Sequence, residues 1–141
     1  MATRAEIRER YHALPLPTTK DEHWRFTDLA GFDPDSWTAN GAVEIAAPPT
    51  LIDVDVAGVA YVGESGIQIE QAPAGVPFEP LPEDHELLYS LVGWDEKFAA
   101  HNAALWTHGL LVHVPRGVVV EKPLYVRIAN AVEGGSLFWR L

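Results

Sequence analysis

Apolar residues recur along this chain at two spacings. Ile7, Tyr11 and Leu14 stand at i, i+4 and i+7, one face of a helix. Thr3-Arg4-Ala5-Glu6 fits a capping box, with Thr3 as N-cap and Glu6 reaching back. Leu14-Pro15-Leu16-Pro17 ends that helix, because proline forbids continuation and pushes its predecessor out of the helical region. A second helix is predicted over Trp94–Thr107, with Trp94, Phe98 and Leu105 on one face, alanines allowing close approach of another backbone, and Gly109 closing it. A short helix between them is predicted from Glu83, Asp84 and Glu86 at its start, an apolar edge of Leu87, Leu88 and Leu91, and Gly93 as C-cap.

Elsewhere the spacing is two. Leu51–Val56 alternates Ile52, Val54 and Val56 with Asp53 and Asp55, a half-solvated strand. Val59–Val62 and Gly66–Glu70 follow, so a small antiparallel meander is expected. Gln71–Pro82, with prolines at 73, 77, 80 and 82, reads as an extended connector. The stretch Gly109–Ile128, GLLVHVPRGVVVEKPLYVRI, then reads as strands Leu110–Val114, Val118–Val120 and Leu124–Ile128, divided by Pro115-Arg116-Gly117 and Glu121-Lys122-Pro123. Ala129–Gly135 is a loop and Ser136–Leu141 begins another strand. Strands this short suit a barrel, a sandwich or one coil of a β-solenoid, and a solenoid coil needs neighbours stacked on it. The fold class is α+β, with residues 1–108 as an N-terminal helical and α+β region and residues 109–141 as the start of a β core that is expected to continue. An open β edge of this kind is expected to pair with a second copy, burying Phe138 and Trp139.

The segments between are irregular. In Thr18–Leu29, Trp24 and Phe26 are expected to anchor a loop, with Arg25 stacked on a ring. Asp33–Ser36 is a turn, Trp37 a further anchor, and Asn40–Pro49 is irregular.

Composition narrows the partners. The chain has 141 residues, 48% hydrophobic and 21% charged, which suits one soluble globular domain. Its net charge of -10 repels phosphate backbones and anionic bilayers, so neither nucleic acid nor membrane is an expected partner. There is no apolar run of spanning length, and the charged N-terminus lacks a secretory apolar core, so the cytoplasm is expected. With no cysteine, disulfides, thiol catalysis and thiolate ligation by this chain are excluded.

Candidate chemistry is sparse. Asp53 and Asp55 would share a strand face, better read as solvated than as an acid–base pair. His101 and His108 lie two helical turns apart, ~10.5 Å along the axis, too far to share one ion easily. His108, His113 and Glu121 supply the residue types of a cupin-like metal barrel but not its His-x-His spacing. A small metal-dependent β-barrel enzyme using these three is the alternative reading. No Gly-x-Gly-x-x-Gly, Walker or Gly-x-Ser-x-Gly motif is present, and none of Ser36, Ser65, Ser90 or Ser136 adjoins a histidine.

Three segments together resemble the SufD family of iron–sulfur cluster assembly proteins: RYHALPLPTTKDEHWRFTDL at 10–29, GVAYVGESG at 58–66, and KFAAHNAALWTHGLLVHVPRGVVVEKPLYV at 97–126. VPRGVVVEKPL at 114–124 is the most specific part. The resemblance implies that the strands are the first coils of a right-handed parallel β-helix, following an N-terminal helical region. It also implies a non-enzymatic scaffold subunit acting with SufB and the ATPase SufC, the iron–sulfur cluster and ATP being handled by the whole complex. The family's residues credited with cluster assembly, and its SufC-docking region, correspond to nothing in these residues. No catalytic, cofactor-binding or metal-binding position is therefore carried over.

Overall fold

The computed structural model describes residues 2–40 and 49–141. Most of the irregular segment read at Asn40–Pro49 lies outside the described residues. The chain forms two compact units, Met1–Trp37 with Glu86–Leu105, and Thr38–His85 with Trp106–Leu141.

The first unit is built on two helices, α1 (Arg4–Ala13) and α2 (Lys97–Leu105). The capping box forms in full: the Glu6 amide donates to Thr3 Oγ1 at 3.2 Å, and the Thr3 amide donates to Glu6 Oε2 at 2.7 Å. Ile7 and Tyr11 are buried, and Ile7 packs on Ala103 and Ala104, where small side chains let the helices approach. Trp94 lies outside α2, yet it packs edge-on against Tyr89 at 4.9 Å.

Two expectations fail here. Residues 83–93 make isolated turns rather than a helix, such as Ser90 N–H to the Leu87 carbonyl at 3.1 Å, and Tyr89 takes a positive φ of 64°. Acidic residues at a helix start contribute only about 0.3–1 kcal/mol, too little to nucleate a helix whose leucines find no core. Leu87 and Leu91 are indeed exposed. Phe26, expected as an anchor, is 86% exposed, and Trp37 is exposed too. Trp24 does anchor, 5.1 Å from Phe98, and Arg25 lies 4.6 Å over the Phe26 ring.

Among the described residues the second unit holds eight short strands: β1 (Thr38–Ala39), β2 (Gly58–Gly63), β3 (Gly66–Gln71), β4 (Phe78–Pro80), β5 (His108–Val112), β6 (Leu124–Ile128), β7 (Gly135–Ser136) and β8 (Trp139–Arg140). β2 and β3 form the expected hairpin, Val62 opposite Ile67. Three other ladders are parallel. β6 runs beside β2 with Gly58 opposite Leu124 and Val62 opposite Ile128. β8 runs beside β5 with His108 opposite Trp139, and β7 beside β1 with Thr38 opposite Gly135. Parallel neighbours need a long connection between them. Here the chain leaves β5, passes through β6 and β7, and returns as β8 alongside its own β5.

Ala60, Phe78 and Leu110 form the core of this unit, with Ile67, Val112, Leu124 and Trp139 packed around them. β2 is buried nearly throughout because β3 and β6 flank it. Three further expectations change. Phe78–Pro80, read as connector, is a strand antiparallel to β5, with Phe78 opposite Val112. Leu51–Val56 and Val118–Val120 are not strands. Both alternate or branch as strands should, but Leu51, Val54 and Val119 are exposed, and without a ladder partner the pattern has nothing to hold it.

Candidate functional site

The turns and close approaches between its strands shape the second unit. Pro115-Arg116-Gly117-Val118 closes as a turn, the Val118 amide donating to the Pro115 carbonyl at 3.0 Å with Gly117 at φ 84°. Positive φ at that position suits glycine. Gly109 meets a different demand: a Cβ there would lie 2.7 Å from the Arg140 carbonyl and 2.9 Å from Leu81 Cδ2. Close approach of β8 therefore requires glycine in β5. Asn40 fastens the other side of the turn, its Oδ1 accepting from the Phe138 amide at 2.7 Å and its Nδ2 donating to the Phe138 carbonyl at 3.1 Å. On their outer sides β6, β7 and β8 have no strand neighbour among the described residues.

The three residues of the metal-barrel alternative do not form a ligand set. His108 opens β5 half-buried, its Nδ1 2.9 Å from Thr107 Oγ1. Burial lowers its pKa below the ordinary 6.5, partly opposed by the Gly63 carbonyl. His113 lies just past β5, exposed, its amide donating to the Pro77 carbonyl at 3.0 Å. Glu121 is exposed in the loop before β6. Among the described residues no three His, Asp or Glu side chains gather to hold a metal ion. Asp55 pairs with Lys122 instead of with Asp53.

Glu64 carries chemistry that its place in an exposed-looking Gly-Glu-Ser turn does not reveal. It is 3% exposed, and its Oε1 accepts from the Ala131 and Val132 amides at 2.8 and 2.9 Å. Burial acts to raise its pKa, but the amides of Val132, Glu64 itself and Ala131 together outweigh it and hold the carboxyl below 4.5. The arrangement is a clamp on the loop leading to β7. Its partners are residues 131 and 132, so no local signal could have found it. A second ion pair, Arg127 of β6 with Glu70 of β3, spans the central strand β2.

In the first unit Tyr11, Asp35, His101 and Lys97 converge. The Tyr11 hydroxyl donates to Asp35 Oδ1 at 2.8 Å, and its ring stacks on His101 at 4.3 Å, 5° from parallel. His101 Nε2 lies 3.7 Å from the same Asp35 oxygen, beyond hydrogen-bond range. Burial lowers the His101 pKa, with Asp35 opposing, and burial with the Asp35 contact raises that of Tyr11. Both rings are thus held neutral, which suits packing rather than proton transfer. Lys97 Nζ donates to the Tyr11 carbonyl at 2.9 Å and sits 3.9 Å over its ring. Beside this cluster a cavity of about 350 Å³ opens between Leu14–Pro17, Asp21–Trp24 and Glu96–Phe98.

Comparison with known proteins gives a short match. Over 36 residues the chain is 56% identical to the iron–sulfur cluster assembly protein SufB of Bacillus subtilis (strain 168), a match covering 24% of this chain and 8% of that protein. No family model matches the chain. Among the described residues no helix is long and apolar enough to cross a membrane.

Proposed function

We propose that this chain is a SufD-like, non-enzymatic scaffold component of an iron–sulfur cluster assembly machinery, working in the cytoplasm with homologues of SufB and of the ATPase SufC. The observation that carries the reading is the 56% identity over 36 residues with a protein named for that assembly. The parallel ladders of β6 on β2, β7 on β1 and β8 on β5 support it, because stacked parallel strands are what successive windings of a solenoid contain. In this reading the second unit is the opening of a right-handed parallel β-helix. The iron–sulfur cluster and the nucleotide belong to the assembled complex.

Affinity-tagged SufB and SufC homologues, co-expressed with the protein that carries this chain, should retain it through purification. Its passage through the column unbound would overturn the proposal. Elemental analysis separates the metal-barrel alternative: stoichiometric zinc, iron or manganese that disappears with His113→Ala would favour an enzyme. The unflanked edges of β6 and β8 also favour association of two copies through strand pairing, which light scattering across a concentration series would reveal.

A further inference from the structure

We propose that the cavity between the Leu14–Pro17 segment and the start of α2 is a docking pocket for a segment of a partner protein that carries a bulky apolar residue beside lysine or arginine. The pocket includes none of the strands and does not depend on a role in cluster assembly.

The cavity holds about 350 Å³, within the ~300–1,000 Å³ span of ligand sites. Leu14, Pro15, Leu16 and Pro17 supply one wall. Two fixed proline φ angles stiffen it, so less ordering remains to be done on binding. Trp24 and Phe98, 5.1 Å apart, supply aromatic surface in the same lining. Such a lining takes up an apolar side chain and excludes water from it. Phe26, two residues past Trp24, is 86% exposed and extends apolar surface along the same segment.

Charge around the lining selects what accompanies that side chain. Asp21, Glu22 and Glu96 all line the cavity. Against these three carboxylates the lining sets one lysine, Lys97, while Arg25 and the exposed Lys20 lie next to it in sequence. Lys97 donates to the Tyr11 carbonyl at 2.9 Å, and Arg25 holds Glu22 at 2.9 Å. Asp21 Oδ2 is occupied by the Thr18 amide at 2.6 Å, which fixes the loop but adds no positive charge. The Glu96 carboxylate has no hydrogen-bond or ion-pair partner among the described residues, and it is exposed. The lining therefore keeps excess negative charge, in a chain of net charge -10. An acidic or phosphorylated segment is repelled, and a basic one is steered in.

The test uses the full chain and three fluorescein-labelled twelve-residue peptides read by anisotropy. One carries a leucine–tryptophan–leucine centre between lysine pairs, one has the same centre between glutamate pairs, and one has a glycine–serine centre between lysine pairs. The first should bind roughly tenfold tighter than either other, a difference of about 1.4 kcal/mol. Glu96→Lys, at an exposed site, should weaken it roughly fivefold, and Leu16→Glu by more, with circular dichroism unchanged in both. Raising salt from about 50 to about 500 mM should weaken binding by screening. Equal binding of the glutamate-flanked peptide, equal binding of the glycine–serine peptide, or affinity unchanged by both substitutions would overturn the proposal. So would a dimer of the chain that dissociates on Leu16→Glu, because a second copy would then be the occupant.

Discussion

Glu64 shows how much one side chain can hold. A carboxylate with 3% exposure would ordinarily be costly, yet two loop amides satisfy one of its oxygens. Hydrogen bonds to a charged group contribute about 1.5–3 kcal/mol, and the partners here lie far away in sequence. Its folded pKa sits below the ordinary 4.5, so the unfolded chain takes up the proton first as pH falls. The contribution is therefore fully present above about 4.5 and is lost as pH drops through the folded value. Glu64→Gln is expected to lose roughly 1–2 kcal/mol at neutral pH. Urea melts at pH 7 and pH 3.5 should show the variant's deficit shrinking at the lower pH. An equal deficit at both would mean that the charge is not what clamps the loop. Tyr11 makes a related point: its periodicity announced a buried helix face, but not the Asp35 acceptor or the His101 ring it would meet.

At the level of elements, helices and hairpins followed local signals, while partnerless segments did not. α1 has its cap, its apolar stripe and its proline stop within fifteen or so residues, all visible in order. β2 and β3 close through a turn of their own. Residues 83–93 and Leu51–Val56 carried equally plausible patterns and formed neither helix nor strand, because periodicity prepares a face but only packing stabilises it. β4 was hidden for the opposite reason: its prolines spoke of a connector, yet an edge position tolerates them. The pairing of β5 with β8 is tight enough to forbid a methyl group at Gly109. Gly109→Ala is expected to cost about 1–3 kcal/mol, as overpacking generally does. Calorimetry should show a lower midpoint, and an unchanged one would mean that β8 does not lie against β5.

On the scale of the molecule, the second unit is knitted by contacts distant in sequence. Residues 58–80 pair with residues 108–128, and the chain from 106 onward completes what residues 38–85 begin. Loops of that length are slow to close, so this unit is expected to fold as one late, cooperative event. Removing Leu124–Leu141 strips β2 and β5 of their parallel neighbours and bares Ala60 and Leu110. Such a shortened chain should bind a hydrophobic dye and lose the slow amide exchange of β2. Retention of β2 protection would show that β3 and β4 suffice alone.

The amino-acid order by itself determined the capping box and proline stop of α1, the β2–β3 hairpin, the turn at Pro115–Val118 and an acidic chain without thiol chemistry. Those depend on neighbours a few residues away, where backbone sterics and side-chain size act directly. The tertiary structure alone decided which strands pair in parallel, that Glu64 grips residues 131 and 132, and that Leu14–Pro17, Trp24 and Phe98 line one cavity. Each of those joins segments far apart along the chain. Their meeting is set by how buried area and hydrogen bonds are satisfied across the whole unit, which no local window contains.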